Sequence, residues 1–328
     1  MAKMKKVTYA QAICEAIDEE MSRDKNILIL GEDVGILGGN FKTAVGLYEK
    51  YGDFRVKDTP ISENGFIGMS LGMALTGLRP IVEIMFSDFL LLAADQLLNQ
   101  IAKIRYMSGG QAKVPLTIRT TIGAGRSSAA QHSQSLHAIV CHIPGLKVVV
   151  PSNAADAKGL LKTAIRDDNP VVFIEHKMEY NNEYEIPEGE YTIPFGKAKV
   201  LREGKDITVI ATSNLALKAV KAAEELAKEG IDVEVIDPRT LIPFDRETLI
   251  TSIKKTGRVF LADEGYERSN IVAEIVMDLM PDIFYFLENP PERLCLPNVP
   301  LPFSPALEFP LIPDQEKIYK RIKAIFKN

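Results

Sequence analysis

The chain of 328 residues has no tryptophan, only three cysteines and only four histidines. Cys14, Cys141 and Cys295 are odd in number, far apart and without CxxC spacing, which argues against both a disulfide framework and a thiolate metal knuckle. No apolar run approaches the ~20 residues that span a bilayer. The basic start, "MAKMKKVTYAQAICEAIDEE", leads into an amphipathic helical pattern instead of a signal core. These features predict a cytoplasmic protein without a membrane span. The 39 basic and 44 acidic residues are interspersed, with no Lys/Arg block of the kind a nucleic-acid footprint requires, so nucleic acid is not an expected partner. Familiar catalytic signatures are missing too. There is no GxxxxGK[ST] loop and no GxSxG elbow. "TIRTTIGAGRSS" imitates a dinucleotide fingerprint at Gly123-Ala124-Gly125 but lacks its third glycine and the acidic residue about 20 positions on.

What the chain does have is alternation. "NILIL", "RPIVEIMF", "VPLTIRT", "LKVVV" and "PVVFIE" are short β-rich runs separated by helical patterns, including the long "DFLLLAADQLLNQIAKIRYM". Such alternation predicts an α/β fold with a largely parallel sheet covered by helices. Residues 178 to 206 break the rhythm with polar residues, Pro and Gly, after which "DITVIAT", "VEVID" and "RVFLAD" restart it. The expected organisation is a first domain over 1–185, a linker and hairpin over 186–205, and a smaller α/β domain over 206–328. The proline-dense "NPPERLCLPNVPLPFSPALEFPLIP" reads as an extended arm on a surface.

Two stretches stand out chemically. "AAQHSQSLHAIVCHIPG" holds three of the four histidines, His132, His137 and His142, within eleven residues. A zinc site is not expected there, because residues five apart diverge by about 140° on a helix. His137 and His142 read as ordinary helix and loop histidines. His132 differs: it lies among Gln131, Ser133, Gln134 and Ser135 after a glycine-containing strand end, where open α/β sheets place ligands. The other stretch is "DTPISENGFIGMSLGMALTGLRPIVEIMFSDFL". Glu63 opens a helix carrying Gly65, Gly68 and Gly72, each costing about 1 kcal/mol relative to alanine, so close packing against a neighbour is expected to compensate. Taken in isolation, Glu63 is a first-turn carboxylate complementing the helix dipole.

The segments "GEDVG", "DTPISENGFIG", "GLRPIVEIMFSDF", "AAQHSQSLHA", "HIPGLKVVVPSNAADAKGLLKTAIRDDNPVVFIEHK" and "DPRTLIPFD" resemble, in order and over nearly the whole chain, the β subunits of the thiamine-diphosphate-dependent decarboxylating component of 2-oxoacid dehydrogenase complexes. Pyruvate, branched-chain 2-oxoacid and acetoin dehydrogenases form that group. The resemblance implies a transketolase-like architecture, with a pyrimidine-binding domain followed by a smaller C-terminal domain. It also implies that Glu63 hydrogen-bonds the cofactor's aminopyrimidine, that Met85 and Phe89 pack on that ring, and that His132 handles protons during acyl transfer to a lipoyl group. The Glu63 role needs a protonated carboxyl, which burial against Met85 and Phe89 would favour.

A potassium site near Leu116, Ala164, Ile165, Asp167 and Asn169 is likewise implied by the resemblance; without it, "LKTAIRDDNP" reads as a helix end capped by water. The family's diphosphate and Mg2+ motif begins Gly-Asp-Gly, but the only Gly-Asp here, Gly52-Asp53, is followed by Phe54. A separate α subunit is therefore expected to supply the Mg2+ ligands in an α2β2 heterotetramer that serves a dihydrolipoyl acyltransferase core. The implied activity is decarboxylation of a pyruvate-like 2-oxoacid. An acetoin dehydrogenase β subunit is the alternative, toward which "GRSSAAQHSQSLHA" leans. A non-catalytic assembly subunit is the rival from another class, and the presence of both Glu63 and His132 speaks against it.

Overall fold

The computed structural model describes residues 3–327. The chain divides into two compact units: residues up to Ile122 together with Ile139–Phe195, and Gly123–Ala138 together with everything from Gly196 onward. The stretch 1–185 is thus not continuous in space, since Gly123–Ala138 folds with the second unit.

In the first unit the strands lie in the order Lys147–Val149, Val171–His176, Thr117–Ile122, Arg79–Ile84, Ile27–Gly31 and Val56–Asp58, all parallel. Ile27–Gly31, Thr117–Ile122 and Val171–His176 are buried at every position, as expected of a parallel sheet covered on both faces. The helices Tyr9–Arg23 and Ala154–Arg166 close one core, with Ile13, Ile17, Leu160 and Leu161 packed with Ile29 and Phe173. Each begins on a side-chain cap: Thr8 forms a capping box with Gln11, and Asn153 accepts from the Asp156 N–H. The long helix expected after Asp88 is wound unevenly, as a 3-10 stretch Ser87–Ala93, wider π-type turns over Gln96–Ile101 and a short helix Ile104–Met107.

The second unit's strands run Glu292–Leu296, Val259–Tyr266, Ile207–Ala211, Val233–Asp237 and Lys199–Arg202, with only the last antiparallel. Leu215–Ala227 and Gln315–Ile325 cover this sheet through Leu215, Ala219, Ala223, Ile318 and Ile322. No hairpin forms over 186–205. Glu183–Pro187 pairs with Met4–Thr8, and Lys199–Arg202 joins the second sheet, so the residues between them are a connection. The proline-dense stretch is also more ordered than an arm on a surface. Glu292–Leu296 adds a strand at the sheet edge, where prolines beside it cost no ladder bond, and Leu301 and Ile312 pack with Ala124 and Leu296. Among the described residues no helix is long and apolar enough to cross a membrane.

The first sheet is polar at its centre. Arg119 is 1% exposed; its Nη1 donates to Glu83 at 2.7 Å, while Nε and Nη2 donate to the two oxygens of Glu175 at 2.7 and 2.8 Å. Burial alone would favour a neutral guanidine, but Glu175 and Glu83 reverse this and hold Arg119 well above its usual range. Burial pushes Glu175 up, against the opposing pull of Arg119. Removing one partner of a buried ion pair typically costs ~3–5 kcal/mol, because it strands the other charge. Arg119→Met should therefore lower the urea midpoint by an amount equivalent to about 3–5 kcal/mol. A midpoint equal to that of the unaltered chain would show that the carboxylates do not depend on the guanidinium.

Candidate functional site

Glu63 begins the helix Glu63–Leu75 and is 6% exposed, although its neighbours Asn64 and Gly65 are exposed. Among the described residues no protein donor meets its carboxyl. The group beside it is acidic: Glu32 is raised above the usual carboxylate range by burial first, and then by the charges of Glu63, Asp33 and Glu83. Glu83 is held in turn by Arg119 and by Thr43 Oγ1 at 3.2 Å, yet its Oε1 is buried without a partner. The glycine face of the helix is only partly filled within the chain. A Cβ on Gly68 would lie 3.2 Å from Gln96 Cγ and one on Gly65 2.9 Å from Ser62 Oγ, while nothing lies within 4 Å at Gly72. The close packing expected from the glycine spacing is thus present at the start of the helix and absent one turn later.

Met85 follows the strand Arg79–Ile84, half-buried, and its carbonyl accepts from Thr121 Oγ1 at 2.7 Å. Phe89 lies in the turn Ser87–Ala93 and meets Phe86 edge-on at 5.9 Å. Phe86 packs edge-on with Phe41, which stacks on Tyr180 at 4.5 Å. The Tyr180 hydroxyl donates to Glu175 Oε2 at 2.8 Å, which ties this aromatic row to the Arg119 cluster.

His132 belongs to the second unit. Burial alternates along its segment: Ser133, Ser135 and His137 are buried, while His132, Gln134 and Leu136 are half-exposed. His132 and His137 thus differ in their access to solvent; among the described residues no group of three or more His, Cys, Asp or Glu gathers around a metal position. His137 is more than an ordinary helix histidine. It is 1% exposed, and its Nε2 lies 2.9 and 3.0 Å from the two oxygens of Asp263. Asp263 also accepts from Thr212 Oγ1, from the Gly265 N–H at 2.7 Å and from Asn270 Nδ2 at 2.8 Å. A carboxylate taking so many donors is ionised, so the proton of this pair sits on Nε2; Nδ1 is buried without a partner. The signal for this pair was the acidic "DE" ending the apolar run "RVFLAD", a strand end of the kind that carries functional groups in such sheets.

The residues expected around potassium come together at the end of Ala154–Arg166, but protein donors already meet them. Arg79 donates to the Ile165 carbonyl at 3.0 and 2.9 Å and to the Asp167 carbonyl at 2.7 Å. Ala164 O accepts the Asp167 N–H at 3.2 Å and Leu116 O the Val171 N–H at 3.0 Å. Asp167 takes the Asn169 N–H and side-chain amide, both at 2.8 Å, and pairs with Lys147. Burial pushes Asp167 up, but Lys147 and Asn169 outweigh this and hold it below its usual value.

Residues 5–183 match the transketolase pyrimidine-binding domain and residues 196–318 the transketolase C-terminal domain. The chain is 46% identical over 324 residues to the β subunit of acetoin:2,6-dichlorophenolindophenol oxidoreductase of Cupriavidus necator, covering 96% of each chain. It is 44% identical over 319 residues to the β subunit of the pyruvate dehydrogenase E1 component of Rickettsia felis, covering 97% of this chain and 98% of that one. A split-gene transketolase described as an inactive β4 tetramer shares the fold, with a TM-score of 0.79 at 24% identity over 97% of this chain and 98% of that one.

The His137–Asp263 pair makes stability depend on pH. Burial pulls His137 down, but the Asp263 charge and hydrogen bond outweigh it and raise His137 above its usual value. Burial pushes Asp263 up, but His137, Thr212 and Asn270 bring it down to about 2. The histidine's contribution is therefore complete below its unfolded pKa of ~6.5 and is lost as pH rises through the raised folded value. The aspartate's contribution is complete above about 3.9 and fades as pH falls toward 2. The stability difference between the unaltered chain and His137→Gln should peak between about pH 4 and 6.5 and decline on either side. Urea midpoints across that range test this, and a difference that stays flat into alkaline pH would mean that His137 does not titrate against Asp263.

Proposed function

The chain belongs to the transketolase-like family of acetoin and pyruvate dehydrogenase β subunits, and from that premise we propose that it is the β subunit of a thiamine-diphosphate-dependent decarboxylating component that acts on a pyruvate-like 2-oxoacid and acylates a lipoyl group. The observation that carries the reading is Glu63, a residue only 6% exposed whose carboxyl meets no protein donor among the described residues. That carboxyl is open to a ligand, and a ring nitrogen of a bound pyrimidine would give it a hydrogen-bond partner. The residues fit the group: Glu63 would hold the ring by a hydrogen bond, and Met85 and Phe89 would supply thioether and aromatic packing. Bound thiamine diphosphate supplies the carbon nucleophile and the electron sink for decarboxylation.

The protein's own part is electrostatic. Glu32 is raised by burial and by the charges of Glu63, Asp33 and Glu83, so the site presents an acidic group toward the ring. His132, half-exposed on a segment of small polar residues, accepts and returns protons during acyl transfer. The diphosphate and Mg2+ are assigned to an α subunit in an α2β2 assembly, since Gly52-Asp53-Phe54 does not provide the family's Gly-Asp-Gly start. The unfilled space at Gly72 is consistent with a partner's approach there. Potassium is the lesser part of the proposal, because a cation at Leu116, Ala164, Ile165, Asp167 and Asn169 would share its carbonyls with Arg79. Acetoin is the second reading of the substrate, favoured by the likeness to the Cupriavidus necator subunit.

Glu63→Gln keeps the size of the side chain and removes its acid function. In the complex with α it should lose about a hundredfold or more of decarboxylation, the scale of a proton-transfer group, with an unchanged circular dichroism spectrum. Near-normal turnover would remove Glu63 from the chemistry. Titration calorimetry checks the assignment to α: the isolated β chain should bind thiamine diphosphate with Mg2+ weakly, and addition of α should bring tight binding. Tight Mg2+-dependent binding to β alone would overturn the shared site.

A further inference from the structure

The segment Gly123–Ala138 interrupts the first unit's sequence but folds with the second unit, and three buried carboxylates hold it. Glu264 accepts the Ala124 N–H at 2.5 Å. Glu308, from the proline-dense stretch, accepts the Gly125 N–H at 2.9 Å with one oxygen, and the Ser127 N–H at 2.9 Å and Oγ at 3.2 Å with the other. The backbone bends sharply to present these N–H groups: Gly123, Gly125, Ser127 and Ala129 all have positive φ, which serine and alanine adopt only when the surroundings impose it. Asp263 forms the other clamp through His137. Asp263, Glu264 and Glu308 are at most 2% exposed. His132 lies five residues beyond Ser127 and five before His137, midway between the two clamps.

Asp263 is itself immobilised. Asn270 caps the helix Ile271–Ile283 through Val272 N–H at 3.0 Å, and its amide donates both to Asp263 and to the Tyr266 carbonyl at 3.0 Å. The clamp at His137 is therefore rooted in a strand and a helix of the second unit.

We infer that the Asp263–His137 pair is a positioning device for His132, holding the downstream end of its segment so that the imidazole keeps one placement during proton transfer. This rests on the reading of His132 as the proton-handling group. His137 acts through His132, so a misplacement on the ångström scale, which can cost on the order of a hundredfold in rate, is the expected consequence of losing it. His137→Gln retains an N–H donor at the ε position for Asp263. His137→Ala removes the donor, and in His137→Asn the amide stops at the δ position, short of the carboxylate.

The test uses the complex with α and whichever of pyruvate or acetoin the unaltered complex turns over, with a lipoylated acyltransferase domain as acceptor, so that the kcat read is that of reductive acylation. His137→Ala, or His137→Asn if the alanine variant does not assemble, should lower kcat tenfold or more with little change in KM. His137→Gln should recover to within about threefold. In a His132→Ala background the same His137 substitution should cost less than about twofold, because residues acting as one unit are not additive. Amide hydrogen exchange over Gly123–Ala138 should quicken in His137→Ala and not in His137→Gln. An equal loss of kcat in both backgrounds, or unchanged exchange, would overturn the positioning role. Undiminished kcat in His132→Ala alone would instead overturn the reading of His132, and the two failures are distinguishable.

Discussion

One guanidinium between two carboxylates is the constraint on which the first unit depends. Arg119 sits on the strand Thr117–Ile122, directly opposite Glu83 on one neighbouring strand, and reaches Glu175 on the other. A one-residue slip of register would turn Arg119 to the opposite face and leave both carboxylates buried without a cation, so the cluster enforces the pairing of three strands. Buried ion pairs add little net stability compared with apolar packing; what they specify is a unique arrangement. That arrangement reaches outward in two directions. Through Glu83 it holds one member of the acidic group that includes Glu32 and Glu63. Through Glu175 and Tyr180 it continues to Phe41, Phe86 and Phe89.

The second unit uses buried carboxylates for another purpose. Glu264 and Glu308 accept backbone N–H groups of a bent segment, and Glu308 the Ser127 hydroxyl as well. Successive N–H groups in such a conformation form an anion-binding concavity, here occupied by the protein's own side chains. The segment thereby gains a defined shape without secondary structure over 123–136, and the proline-dense stretch gains a role, since it delivers Glu308.

The parallel sheet of each unit was legible from alternation, while Glu63 and His132 are proposed as site residues from their surroundings and the family resemblance. The bent segment's allegiance was not. Nothing local in "GAGRSSAAQHSQSLHA" says which unit it joins, because the groups that hold it, Asp263, Glu264 and Glu308, lie more than a hundred residues away. His137 looked ordinary for the same reason: its partner lies 126 residues on. The hairpin expected over 186–205 failed similarly, as Glu183–Pro187 found its partner at the other end of the unit, in Met4–Thr8. The potassium ligands were placed together by the resemblance, but Arg79, which begins an interior strand of the sheet and lies 86 residues from Ile165 in sequence, could not be inferred from "LKTAIRDDNP".

By itself, the sequence determined what periodicity and composition control: strands and helices in order, two α/β units, and a glycine-bearing helix opened by Glu63. These follow from contacts within a few residues and from where apolar side chains recur. Only the tertiary structure decided which charges meet. Arg119 with Glu83 and Glu175, His137 with Asp263, and Glu308 with the Gly125 and Ser127 N–H groups are all pairings across long sequence separations. In each, burial removes water as the alternative partner, so a charged group must be satisfied by whatever the fold brings within hydrogen-bond reach.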